Sequence, residues 1–321
     1  MLKKIFAFLL FCAAAVCVVL VCVIMEPVIA DGIEYNKFCK AAKQGDADAQ
    51  YELSLIDMRS SSKMIEGSGI VWLRRAAGQG HVEAQKRLGF LYLSGIFVQK
   101  DLKQAAELLR QPAEQGDADS QFALAQLYMY GGGGMERDCK QAVSWLRKGA
   151  EKGDIMCIYN LALCYKYGDG VDQDIKQAVN WLRKGCGNED DPKLGFDDFY
   201  AQCQYQLGLC YKYGEGVQKD LKQAADCFSK GAELRSADCR YQLALCCKYG
   251  EGAKKDLEEA ADLFSAAAEQ GHSGAQYNLG QCYRYGIGVE KDPDKAWHWY
   301  CKALDQGNTG AKEALRTLER P

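Results

Sequence analysis

The sequence predicts an all-α protein, a right-handed superhelical solenoid of about seven helix-turn-helix repeats of 36 residues. Three observations carry that expectation. One leucine recurs at Leu53, Leu88, Leu124, Leu161, Leu207, Leu243 and Leu279, in steps of 35, 36, 37, 46, 36 and 36 residues. Five prolines stand against 33 glycines, so helices are rarely broken from inside while turns often take positive backbone angles. The third is an aspartate that opens the second half of most copies: Asp101, Asp138, Asp174, Asp220, Asp256 and Asp292. A helical pair this small cannot cover its own apolar face, so successive copies must stack, and no sheet is expected.

Residues 1–30 read as a signal peptide or a membrane anchor. Lys3 and Lys4 precede 21 uninterrupted apolar residues, Ile5 to Met25. As a helix that run is about 31 Å long, enough for a bilayer core. Val28 and Ala30 suit a signal-peptidase site, although the run exceeds the usual apolar length of a cleaved leader. Either way the lysines stay cytoplasmic, and the expected location of the rest is periplasmic or secreted, or anchored in the inner membrane facing the periplasm. No other membrane contact is expected. Residues 31–47 form an N-terminal lead-in, 48–308 the seven copies and 309–321 a C-terminal capping helix.

The clearest copy shows why each holds two helices. Around Leu279, a small residue stands four before the leucine, Gly280 just after it, and Cys282 and Tyr283 three and four beyond, one apolar stripe at helical period. Tyr285-Gly286-Ile287-Gly288 then supplies the left-handed residue that ends a helix. Each opening aspartate is followed three residues on by Gln104, Gln141, Gln177, Gln223 or Glu259, the spacing of a reciprocal capping box; the sixth has Lys295 and gains Pro293 at the first helical position.

The copies depart from this pattern in order along the chain. Copy one has Arg59-Ser60-Ser61-Ser62-Lys63 in place of the glycine turn, read as an atypical end cap with a shortened second helix around Trp72-Leu73. Copy two carries Pro112 inside its second helix, and copy three has Gly131-Gly132-Gly133-Gly134, which lacks the strand and Lys-Ser/Thr ending of a phosphate loop and reads as a floppy turn. Between copies four and five about ten residues are inserted near Gly187–Phe199, rich in carboxylates and read as a solvent loop.

Composition excludes several functions. With 40 Lys plus Arg against 43 Asp plus Glu, the net charge of -3 gives no basic excess for a nucleic-acid partner. Three histidines and no C-x-x-C pair leave no zinc motif, so no metal and no cofactor are expected. No catalytic residues are assigned. Of 16 cysteines three lie in the leader; Cys157, Cys203 and Cys239 stand where other copies have a small residue, and Cys164, Cys210, Cys246 and Cys282 where others have Leu or Ile, as small buried hydrophobes would.

The pattern Ala-x-Tyr-x-Leu-Gly-x-x-Tyr-x-x-Gly-x-Gly-Val-x-x-Asp at 275–292, with Cys for Ala at 203–220 and 157–174, resembles the Sel-1-like repeat family, a branch of the tetratricopeptide superfamily. The resemblance implies an α-solenoid that serves as an adaptor or scaffold, often in exported bacterial proteins, binding a protein or extended peptide in a concave groove. It also implies, from the cysteine-rich secreted branch, a disulfide between Cys186 and Cys203, beside the alternative of mostly free buried thiols. Some members of that branch are classed as β-lactamases, so a penicillin-binding protein or weak β-lactamase is the alternative function. Ser60-x-x-Lys63 fits its nucleophile element, but no Ser-Asp-Asn or Lys-Thr-Gly accompanies it.

If first helices line the groove, as in that superfamily, positions one before, two after and five after the marker leucine form three parallel rows. They are Asn160, Gln206, Gln242 and Asn278; Leu163, Leu209, Leu245 and Gln281; and Lys166, Lys212, Lys248 and Arg284. Amides for a peptide backbone, leucines for its side chains and cations for its carboxylates make an expected site for an extended, acidic partner.

Overall fold

Periodic leucines and aspartate caps become antiparallel helical hairpins in the computed structural model, which describes residues 32–59, 63–187 and 197–318. Sixteen helices and no strand occur among the described residues. A lead-in helix α1 (Gly32–Lys43) precedes the hairpins α2 (Ala47–Arg59) with α3 (Lys63–Gly78), α4 (Val82–Ser94) with α5 (Leu102–Glu114), and α6 (Ala118–Tyr130) with α7 (Cys139–Glu151). Then follow α8 (Ile155–Tyr167) with α9 (Ile175–Cys186), α10 (Asp197–Tyr213) with α11 (Leu221–Glu233), α12 (Ala237–Tyr249) with α13 (Leu257–Glu269), and α14 (Ser273–Tyr285) with α15 (Pro293–Asp305). Helix α16 (Thr309–Thr317) comes last.

The chain divides into two compact units, Met1–Cys157 and Ile158–Pro321. In the first, Leu88, Leu91, Leu109 and Leu124 share one buried core with Phe90 and Leu127. In the second, Leu279, Phe264 and Cys282 are buried together. Six of the seven marker leucines are buried and Leu243 is half-buried. Each first helix lies close to its own second helix because one side gives way in size. A Cβ added at Gly208 would stand 2.5 Å from the Phe228 ring, and one at Gly280 would stand 2.6 Å from that of Tyr300.

All six expected aspartates cap their helices, Asp101 accepting from the Lys103 and Gln104 N–H groups at 3.0 Å and the others likewise. The reciprocal half of the box is corrected. The backbone N–H of each aspartate donates instead to a carbonyl near the end of the preceding helix, as from Asp220 to Tyr211 and from Asp292 to Tyr283, both at 2.9 Å. That bond closes the hairpin, leaving the glutamines no free cap N–H to accept.

Two further expectations change. The second helix of copy one is not shortened, since α3 runs for 16 residues. Gly131 to Gly134 form a closed turn, all four at positive φ, tied by paired Gly132 and Met135 backbone bonds of 3.1 and 2.9 Å. Pro112 lies inside α5, as its position in the sequence leads one to expect, and the helix continues beyond it to Glu114. The proposed leader at 1–30, Ser60 and most of the insertion, 188–196, lie outside the described residues. Among the described residues no helix is long and apolar enough to cross a membrane.

Candidate protein-binding surface

The twelve residues of the three expected rows all fall on first helices of the second unit, and all twelve are half-buried. Their cations are braced across repeats. Lys166 Nζ donates to Gln206 Oε1 at 3.0 Å, Lys212 Nζ to Gln242 Oε1 at 3.0 Å, and Lys248 Nζ to Asn278 Oδ1 at 3.2 Å. In the last copy no further amide follows, and Arg284 turns to α16, donating to the Ala314 and Thr317 carbonyls at 3.2 and 2.9 Å. Two of the rows are therefore one ladder: the cation of each copy holds the amide of the next.

A lysine has three N–H donors, so one bond to an amide leaves capacity for a ligand. Lys166 spends more of it, with Glu215 Oε2 at 3.6 Å and a side chain only 13% exposed. These lysines are thus not a freely solvated face. Gln281, which replaces leucine in the middle row, donates to the Tyr277 hydroxyl at 2.8 Å.

What the surface does expose was not singled out from the sequence. Tyr167, Tyr213, Tyr249 and Tyr285, the last residues of α8, α10, α12 and α14, are 59–61% exposed. Beside each ring lies the ladder cation preceding it in the chain, at 5.9, 5.8, 5.4 and 5.2 Å from the centroid. Such pairs orient the cation over the aromatic face. A signal was available: these cation-tyrosine dipeptides fill two positions that the repeat pattern leaves open, in four successive copies.

The cysteines are packing residues. Cys157, Cys203, Cys210 and Cys239 have no exposed surface, and Cys164, Cys246 and Cys282 are almost as deep. Burial pushes the Cys203 and Cys239 thiols up to about 12, so they stay protonated. Cys239 fits against Gly231, where a Cβ would overlap its sulfur, and Cys157 fits likewise against Gly149. No disulfide joins Cys186 and Cys203 in this structure. Cys203 instead occupies the same buried register as Cys157 and Cys239. Among the described residues no group of three His, Cys, Asp or Glu side chains is placed to hold a metal ion.

A chain of stacked helical hairpins whose regular surface is made of cations, amides and aromatic rings belongs to the class of repeat scaffolds. The Sel1 repeat model matches residues 66–81, 82–117, 118–154, 155–190, 201–236, 237–272 and 273–308, and the chain belongs to the Sel1 repeat family. A protective antigen of uropathogenic Escherichia coli strains, displaying an SLR fold, is similar at 30% identity and a TM-score of 0.77. That match covers 88% of this chain and 58% of the antigen, so the chain spans little more than half of that protein. A Sel1 repeat protein from Oxalobacter formigenes is similar at 29% identity and a TM-score of 0.74, covering 96% of this chain and 86% of that one. Sel1 repeat proteins are generally non-enzymatic scaffolds for protein–protein contacts.

Proposed function

We propose that this chain is an exported scaffold that holds an extended, acidic segment of a partner protein along the first helices of its second unit. The observation that supports this reading is the fourfold recurrence of a braced cation beside an exposed tyrosine. Tyrosine offers a large rigid contact area with few rotatable bonds, and it is enriched where partners bury against one another. The lysine ammoniums, held in place by the amides, supply residual donors to carboxylates at regular intervals. Export rests on the apolar run of residues 5–25 behind Lys3 and Lys4. The E. coli relative, a protective antigen, accords with a location outside the cytoplasm.

Because the lysines also brace the repeats, replacing them alone would confuse binding with stability. The test therefore pairs Tyr213→Ala with Tyr249→Ala, which leaves both braces in place, and compares the variant with Lys212→Gln/Lys248→Gln. Binding of a fluorescent glutamate-rich extended peptide is followed by anisotropy at two salt concentrations. Both variants are expected to weaken binding by about tenfold or more, a loss typical of aromatic anchors, and salt should weaken the parent. Unchanged affinity in the tyrosine variant removes this surface as the site. For export, residues 1–30 are fused to a reporter active only outside the cytoplasm, and a silent reporter overturns that half.

A further inference from the structure

The first helices are capped by a varied set of residues, and two of the caps are imidazoles. Asp46, Asp117, Asp154, Ser236 and Asn308 each accept from a backbone N–H three residues on. At the start of α4 the cap is His81, whose Nδ1 accepts from the Ala84 N–H at 3.1 Å. At the start of α14 it is His272, whose Nδ1 accepts from the Ala275 N–H at 3.0 Å. A ring nitrogen that accepts carries no proton, so the proton of the neutral ring sits on Nε2. There it faces Asp48 Oδ1 at 3.3 Å for His81 and Asp238 Oδ1 at 3.5 Å for His272.

Each ring also joins two repeats. His81 stacks on Tyr51 of α2 with centroids 4.7 Å apart, and His272 on Tyr241 of α12 at 4.3 Å. The backbone N–H of each histidine donates to the helix before it, to the Ala76 carbonyl of α3 and the Ala267 carbonyl of α13. The groups facing the imidazoles are thus Asp48 and Tyr51 at one seam, with Glu83 in the first turn of α4, and Asp238 and Tyr241 at the other.

We propose that these two seams are acid-sensitive: protonation of His81 or His272 removes the cap acceptor and loosens α4 or α14 from the preceding repeat. In the imidazolium both nitrogens are donors, so no rotation of the ring restores a side-chain acceptor for either N–H, and only the Ala275 N–H keeps a second bond, to the His272 carbonyl at 3.0 Å. The added charge also sits at the positive end of the helix dipole. The carboxylates favour the cation, but Asp48 and Asp238 are 91% and 62% exposed, and attraction to such exposed charges is largely screened. The neutral ring is the form that caps each helix, and the doubly protonated ring cannot. Imidazole is the side chain that changes charge between about pH 5 and 8, whereas the Ser236 and Asn308 caps carry no titratable group.

Amide hydrogen exchange on the full chain tests this, at about pH 7.5 and about pH 5.5, corrected for the intrinsic pH dependence of exchange. Protection at the Ala84 and Ala275 amides is expected to fall roughly fivefold on acidification, the scale of a lost cap. Ala311, capped by Asn308, should be unaffected. His272→Asn, the residue that already does this work at α16, should abolish the fall at Ala275 and leave that at Ala84. Nitrogen shifts of the His272 ring should show Nδ1 unprotonated at the higher pH. Protection at Ala275 as insensitive as at Ala311, a fall that persists in His272→Asn, or a proton on Nδ1 would each overturn the proposal.

Discussion

The two units make the same hairpin but join repeats with different chemistry. Three and five residues after the marker leucine, the first unit has Leu91 with Leu93 and Leu127 with Met129, and Leu91, Leu93 and Leu127 lie in one apolar cluster. At the same positions the second unit has Cys164, Cys210, Cys246 and Cys282 with Lys166, Lys212, Lys248 and Arg284. The lysine of one copy acts on the thiol of the next, Lys166 on Cys210, Lys212 on Cys246 and Lys248 on Cys282. A small sulfur replaces a leucine where a long cationic stem crosses, so volume is kept while the seam gains a polar end. Within one chain, packing tolerates either solution, and the cationic one carries the row of exposed tyrosines.

The largest effect should come from the core of each unit. Leu109→Ala and Phe228→Ala remove side chains with no exposed surface, and each should cost about 3–5 kcal/mol. If urea unfolding shows the two units melting separately, each change should shift only the transition of its own unit. A shift of both transitions by either change would refute the assignment of the two cores to separate units.

The exchange of sulfur for leucine is tested next. Lys212→Leu and Cys246→Leu singly should each destabilise by about 1–3 kcal/mol, the first by losing the Gln242 brace and the second by overpacking. Together they recreate the apolar seam of the first unit, so the double variant should lose less than the two losses added, with a coupling of at least about 0.5 kcal/mol. Strict additivity would refute the compensation.

Asp220→Ala and Asp101→Ala, one in each unit, should each cost about 1 kcal/mol as lost caps. Equality matters here, because the hairpin closure does not depend on which seam follows.

The smallest effect separates ion pairs from amide braces. In the first unit Lys86 pairs with Asp117 and Asp119, the latter at 3.0 Å. Burial alone would push the Asp117 carboxyl up, but the Lys86 ammonium and the Ser120 N–H outweigh it and hold the group below the usual carboxylate range. A lowered carboxylate contributes stability above its unfolded value and loses it as pH falls through its folded one. Lys86→Met should therefore cost on the order of 1 kcal/mol near neutrality and progressively less below about pH 4. Lys212→Met, which breaks a bond to a neutral amide, should show no such fading in thermal melts.

Much of this was legible in the sequence because it is local. The marker leucines, the aspartate caps and the glycine turns each depend on residues a few positions apart, and they recur in register. The buried cysteines were legible too, since Cys157 and Cys239 stand where Ala84 and Ala275 stand elsewhere. The cation–amide ladder was hidden because Lys166 and Gln206 are 40 residues apart and meet only after the repeats stack. The reciprocal cap box failed for a related reason: the N–H it needed is taken by a carbonyl of the preceding helix. The seam histidines read only as too few for zinc, because their role needs the tyrosine of another repeat.

The aspartate that opens each second helix ties its side chain to the turn ahead and its backbone to a carbonyl nine or ten residues behind. Nothing distant is needed to complete that clasp, so it can close with its own turn, while the paired helices become stable only once a neighbouring hairpin covers their apolar face. Assembly can then proceed vectorially, with each newly closed hairpin finding the ledge left by the one before it. A polypeptide built this way can be lengthened or trimmed by whole hairpins without teaching the remainder a new way to fold.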